Sequence, residues 1–356
     1  MADIESCPVC NVPKRFVDTY VWLAGGILVQ RDDPKHRFAL IEVDNLDPLY
    51  RGIEAIIGAP IERLVIETKR KATREYMSRL IPPDIKDLVL EKKMSVEPMI
   101  EALNATGNVM GYGNASLVAY RLEQGDDDFV TERIEEPYSV PLWCGDLTGS
   151  AEAVTGRDLD VGYEWVSPDT IEITSRVSEH PPQFEERMQI KEYEFKEEGI
   201  ELERCPTCGG PFALSTFEWH PEKGIIKSRE TGRRLALVGP TYQEAIFDEL
   251  ERKLGETIPK VILEVQRRFV KTGLYAIEEI EDEKRFRRQL ALRGLGELQE
   301  LRLSKGRMTV RIKNAALPLM IIGLMQGYLE VTTNADSHVD WEMGEDGTLE
   351  MNITAK

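Results

Sequence analysis

The chain has 356 residues, 42% of them apolar and 30% charged, with a formal net charge of −18. That length can hold two or three domains with cores of their own. The acidic balance argues against a nucleic-acid backbone or an anionic membrane as the main partner, since both reward clustered Lys and Arg.

No basic start followed by an apolar run marks a secretory signal, so a cytoplasmic location is expected. The longest apolar run, 315–325, is broken by Pro318 and is too short to cross roughly 30 Å of hydrocarbon, so no membrane span is expected.

The chain opens on Cys7-Pro8-Val9-Cys10. Strands are expected at 17–22, 26–30 and 38–43. Ile53, Ile56 and Ile57 then share a helical face that ends at Gly58, and a second helix starts near Pro60 with Ile61, Leu64 and Val65 at helical spacing. Ile81-Pro82-Pro83 breaks the pattern, and a shorter helix is expected over 96–103. An antiparallel sheet is expected from 115–120, 129–134, 151–154 and 170–174. Residues 175–198, with His180-Pro181-Pro182 and dense mixed charge, read as a linker.

The second half opens on Cys205-Pro206-Thr207-Cys208. Ile258, Val261, Ile262, Val265 and Phe269 form one apolar helical face. Glu281 to Arg285 is a charged helix face, and strands are expected at 308–312, 327–331 and 349–353.

The halves match in order. Trp22 matches Trp219, and Arg37-Phe38-Ala39-Leu40 matches Arg234-Leu235-Ala236-Leu237. Glu67 and Arg70 match Glu264 and Arg267. Gly145, Gly149 and Glu152 match Gly323, Gly327 and Glu330. Trp165 matches Trp341, and Ile173-Thr174 matches Ile353-Thr354. A tandem duplicate of this kind packs as an internal pseudo-dimer. The expected fold class is α+β, each half a CPxC knuckle with short strands, a helical pair and an antiparallel sheet. The boundaries are 1–174, a linker at 175–198, and 199–356.

Four of the five cysteines stand in CPxC pairs, which does not suit a secreted disulfide framework. A CPxC turn holds two thiolates with backbone N–H groups aimed at the sulfurs, as tetrahedral zinc requires. Each half supplies two ligands and zinc needs four, so one shared structural zinc site of Cys7, Cys10, Cys205 and Cys208 is expected. Separate sites, a four-thiolate iron centre, a redox dithiol and unliganded thiols are the alternatives. Glu67/Arg70 and Glu264/Arg267 read as local surface ion pairs. The chain carries no GxxxxGK[ST], HExxH, CxxCH or GxSxG motif.

The end of each half, Pro141 to Gly149 and Pro318 to Gly327, resembles the 4-vinyl-reductase-type domain, an α/β domain related in fold to subunits of the TRAPP trafficking complex. The resemblance implies a pocket between helices and sheet for an apolar or aromatic molecule, lined by Leu142, Trp143, Met320, Ile321 and Met325. Cys144 resembles a cysteine that joins a zinc site in that family, but its later partner cysteines are missing here. The expected function is non-enzymatic: a binding or accessory protein for an apolar small molecule or a partner protein. The resemblance also leaves open a reductase or reductase subunit acting on an unsaturated or tetrapyrrole-like substrate. A scaffold or assembly factor is the third reading.

Overall fold

The computed structural model describes residues 5–179, 194–272, 280 and 282–356. Most of the expected linker, His180 included, lies outside the described residues, as does Glu281. The chain forms two compact units. One gathers residues 1–59, 191–219 and 227–356; the other gathers 60–190 and 220–226. This partition differs from that of the repeats, because the first unit collects both knuckles.

In the first unit, the knuckle of the first half runs into a short helix, α1 (Lys14–Thr19), then β1 (Tyr20–Leu23), β2 (Ile27–Gln30) and β3 (Arg37–Glu42). The expected strand at 17–22 therefore begins only at Tyr20. Helix α2 (Asp47–Ile57) follows and stops at Gly58, which takes the left-handed conformation that favours glycine at a helix end. The second unit begins with α3 (Glu62–Leu80), α4 (Pro83–Leu90) and α5 (Glu97–Met110). It continues with β4 (Asn114–Arg121), β5 (Phe129–Glu135), α6 (Val140–Thr155), β6 (Leu159–Ser167) and β7 (Thr170–Val177). Its four strands lie in the order β4-β5-β7-β6, all pairs antiparallel.

The second half repeats the plan. β8 (Phe217–His220), β9 (Ile225–Ser228) and β10 (Arg234–Val238) follow its knuckle, then α7 (Pro240–Leu254) and α8 (Ile258–Lys271). After α9 (Glu283–Leu292) come β11 (Glu297–Ser304), β12 (Arg307–Lys313), α10 (Pro318–Thr333), β13 (Ser337–Met343) and β14 (Leu349–Ala355). Their sheet order, β11-β12-β14-β13, is that of the first copy. Its inner face packs Val310, Ile312, Met351 and Ile353 against Ile321, Ile322 and Met325 of α10.

The strands next to the knuckles form one six-stranded sheet in the palindromic order β1-β2-β3-β10-β9-β8. At its centre β3 and β10 run antiparallel, with Leu40 opposite Leu237, Ala39 opposite Val238 and Ile41 opposite Ala236. Leu40 and Leu237 are repeat equivalents, so they lie on a local two-fold axis, and their neighbours pair reciprocally as a two-fold interface requires. All six residues of β3 are buried, which is why its middle reads as an unbroken apolar run.

The structure replaces two of the expected strands by helix. Residues 151–154 and 327–331 are the C-terminal turns of α6 and α10, not strands. The glycines before them do not break these helices; they lie against a neighbouring helix. The alignment of the last strands also shifts. Seven residues after Glu152, the Leu159 N–H donates to its carboxylate, and Ser337 stands in the same relation to Glu330. From that anchor Trp341, opposite Met351, corresponds to Tyr163, opposite Ile173, rather than to Trp165. A slip of two residues keeps every side chain on its own face of a strand, so the apolar pattern cannot detect it.

Candidate metal centre

The two knuckles are copies down to their backbone bonds. Cys7 N–H donates to the Val12 carbonyl at 2.8 Å, and Cys205 N–H to that of Gly210 at 2.7 Å. The Asn11 and Gly209 N–H groups close the turns on the Cys7 and Cys205 carbonyls. Both turn residues have positive φ, 59° at Asn11 and 72° at Gly209, a conformation that asparagine and glycine tolerate best. Isolated bridges Ser6–Pro13 and Arg204–Pro211 hold the base of each loop. Beneath the pair, Phe16 packs its ring 5.9 Å from Trp22 and 4.6 Å from Trp219, so both repeat-matched tryptophans serve as packing.

The local two-fold brings the knuckles together. Cys7 Sγ lies 3.8 Å from Cys205 Sγ, and Cys10 Sγ lies 3.5 Å from Cys208 Sγ, each cysteine facing its own counterpart. All four sulfurs fall within 4.8 Å of one another. A disulfide needs about 2.05 Å, so these are not bonded pairs. A tetrahedron of sulfurs about 2.3 Å from a central zinc has edges of roughly 3.8 Å, which is the observed scale.

The electrostatics favour a cation at the centre. Burial opposes ionisation of Cys7, but the N–H groups of Cys10 and Val9 and the nearby Cys10 and Cys205 sulfurs draw its thiol down to about 6. Cys205 is drawn down as well, by the N–H of Cys208 above all, with those of Thr207 and neighbouring sulfurs adding to it. Cys10 and Cys208 are pushed up, chiefly by burial. Four crowded sulfurs cannot all carry charge alone, and a divalent ion supplies the missing counter-charge. The donor set therefore fits zinc or another thiophilic ion.

The residues expected to line a pocket are all buried. Leu142 and Trp143 lie on α6, and the Trp143 indole N–H donates to the Tyr112 carbonyl at 2.6 Å. Met320, Ile321 and Met325 lie on α10, the last two inside the core of the second copy. Cys144 is a buried thiol remote in sequence from the knuckles. A surface depression of about 530 Å³ lies along β6 and β7, with Asp160, Glu164, Glu172 and Arg176 in its wall.

The reading of Glu67/Arg70 as a surface pair does not hold, while Glu264/Arg267 is partly exposed. Arg70 is 3% exposed and bridges two buried carboxylates, Glu67 at 2.8 Å and Glu152 at 2.7 Å. Arg267 likewise bridges Glu264 and Glu330, at 2.8 and 2.7 Å, though of these three only Glu330 is buried. The glycine pattern explains how. Gly145, Gly149 and Glu152 fall on one face of α6. A Cβ at Gly149 would stand 2.4 Å from the Arg70 carbonyl oxygen, and one at Gly145 2.6 Å from Lys69 Cβ. In the second copy Gly323 and Gly327 meet α8 in the same way, at 2.5 Å from Gln266 Cβ and 2.7 Å from Val270 Cβ. The bare face brings the helices close enough for the third residue, Glu, to reach the partner helix's arginine. The spacing was visible in the sequence; its burial was not.

No protein-family model matches the chain, and no curated protein matches it in sequence. Two solved structures show a limited likeness. An H-NOX point mutant from T. tengcongensis is 19% identical with a TM-score of 0.25, over 33% of this chain and 75% of that one. A Cs H-NOX mutant with 4-cyano-L-phenylalanine is 17% identical with a TM-score of 0.26, over 40% and 82%. At those scores neither likeness carries an argument about this chain.

Proposed function

We propose that this chain is a non-enzymatic binding or accessory protein whose two knuckles share one structural zinc ion. The observation that carries the metal half is the cluster of four cysteine sulfurs within 4.8 Å. Two features favour a structural over a catalytic ion. The set already supplies four protein ligands, and Cys7, Cys10 and Cys205 are 1–2% exposed. Catalytic zinc keeps a position open for water or substrate, whereas a closed four-sulfur set has none to offer. The ion would join segments of chain 198 residues apart, so its binding energy becomes folding energy.

The binding half rests on the resemblance of the α/β copies to the 4-vinyl-reductase-type domain. Leu142, Trp143, Met320, Ile321 and Met325 are the proposed contacts for an apolar or aromatic molecule, and their packing must open to admit one.

Elemental analysis of the purified chain tests the metal half. One zinc per chain is expected; two per chain, or none with four freely titrating thiols, overturns it. Thermal shift with aromatic acids, thioesters and tetrapyrroles tests the binding half, which a flat response to all of them overturns.

A further inference from the structure

The second α/β copy is an internal reference for the first. Gly145 and Gly323, Glu152 and Glu330, and Leu159 and Ser337 share one offset of 178 residues. The strand pairings extend it to the sheets: Ile134 opposite Ile171 corresponds to Ile312 opposite Leu349. The same offset puts Glu132 where the second copy has Val310, and Ser175 where it has Ile353. All four side chains are buried, Glu132 at 3% and Ser175 at 0% exposure. The fold therefore does not need a carboxyl or a hydroxyl at these points, and burying them costs stability.

Their hydrogen bonding is incomplete in a specific way. Asn104 on α5, itself buried, donates its amide to Glu132 Oε1 at 3.1 Å. Among the described residues none donates to Glu132 Oε2. Ser175 is the next inward residue beyond Ile173, diagonally across from Glu132, a separation of roughly 7–8 Å. Its hydroxyl lies 2.8 Å from that of Thr148, whose proton goes to the Cys144 carbonyl at 2.7 Å. Ser175 must then donate to Thr148, which leaves its own oxygen as an acceptor. The strip so presents two acceptors, one of them ionisable, and its side-chain neighbours Leu117 and Ile173 are apolar. Burial lifts the Glu132 carboxyl to about 7 against the opposing Asn104 bond, so near neutrality a proton can hold the place of a cation.

The helix that precedes the sheet buries smaller side chains than in the twin. The inward side of α5 is Asn104, Gly107 and Val109. Its counterpart α9 buries Phe286, Leu290, Ala291 and Leu292, while Trp143, Cys144 and Leu147 of α6 are buried like Ile321, Ile322 and Met325 of α10.

We propose that the first α/β copy, and not the second, recognises a primary amine carried on a small apolar body. Glu132 Oε2 and Ser175 Oγ accept from the ammonium, and Asn104 positions the carboxyl. This names the ligand class for the binding half of the proposed function and rests on that reading.

Calorimetric titration of the metal-loaded full chain with 2-phenylethylamine, against 3-phenylpropionate as the same body with opposite charge, tests it. One amine per chain is expected at pH 7, at least tenfold weaker in Glu132→Gln, with no uptake of 3-phenylpropionate. Binding should release protons, because an ammonium draws the carboxyl back to its charged form. The double variant Glu132→Val with Ser175→Ile recasts the strip as its twin. It should fold with an unchanged or higher melting temperature and bind no amine.

Equal affinity in Glu132→Gln overturns the inference, as does preference for the acid. So does marked loss of stability in the double variant, which would make the polar strip a support of the fold. A response to neutral or acidic apolar probes without one to the amine overturns this site and leaves the binding reading standing. A flat response to every probe overturns both.

Discussion

The crossing of α3 with α6 and that of α8 with α10 carry the same glycines and the same Glu–Arg–Glu bridge in unlike surroundings. In the first, Glu67, Arg70 and Glu152 are all nearly inaccessible. In the second, only Glu330 is; the Arg267 and Glu264 side chains are 20% and 28% exposed, while Lys271 pairs with Glu330 as Arg74 does with Glu152. What stayed alike is what the backbone imposes: two positions with no room for a Cβ, and a carboxylate that ties the arginine to the first N–H of the next strand. What diverged is solvent access and the filling of the interior. The bridge is thus a register device in both copies, and its cost of removal should differ between them.

The knuckles set the other pole of the comparison, because there the copies are equivalent. Cys7→Ser and Cys205→Ser should each abolish metal binding and lower stability by more than about 3 kcal/mol, by amounts that agree with each other. Metal content and denaturant unfolding measure this; a variant at one knuckle that keeps its metal would separate the sites.

Next in size, Arg70→Met leaves Glu67 and Glu152 buried with only the partly exposed Arg63 and Arg74 as partners and should cost about 3 kcal/mol. Arg267→Met should cost less than half as much, since water reaches Glu264 and the place of the lost guanidinium. Equal losses would erase the distinction between the crossings. Gly149→Ala and Gly327→Ala should each cost about 1–3 kcal/mol by overpacking. The first should be worse, because its Cβ would stand 2.4 Å from a backbone oxygen, against 2.9 Å from the Arg267 oxygen at Gly327.

The smallest effect is one of pH, and it has opposite signs in the two copies. Burial raises the Glu132 carboxyl from 4.5 to about 7. The folded state then holds that proton more tightly than the unfolded one. Its contribution is full below about 4.5 and is lost as pH rises through about 7. Burial also pushes Glu330 upward, but Lys271, Arg267 and Ser337 outweigh it and hold its carboxyl below the ordinary 4.5. Its contribution is present above 4.5 and is lost as pH falls through the lowered value. Amide exchange between pH 4 and 7.5, corrected for intrinsic rates, should show protection falling with pH in β5 and rising in α10. Parallel trends would contradict the assignment.

Much of the site could be read before any coordinates. CPxC fixes the turn, the 198-residue recurrence pairs one turn with the other, and the four-ligand demand of zinc asks that they meet. The helix boundaries near Gly58 and Pro83 were equally legible, since each rests on a local φ restriction. Glu67 and Arg70 were misjudged because a charged pair at i, i+3 looks the same on a surface and in a core. Residues 151–154 are too short a run to show a helical period, and the glycines before them, poor helix formers taken alone, allow the crossing that makes the helix stable.

The sequence by itself determined the duplication, the α+β layout and the thiol chemistry, all of which rest on residue type, period and spacing along the chain. Only the tertiary structure decided that β3 pairs with β10 about Leu40 and Leu237, that four sulfurs converge, and that Glu132 is buried where its twin position holds valine. Those facts depend on which distant segments touch. Strand pairing and burial are settled by the whole packed interior, and no local run of residues carries that information.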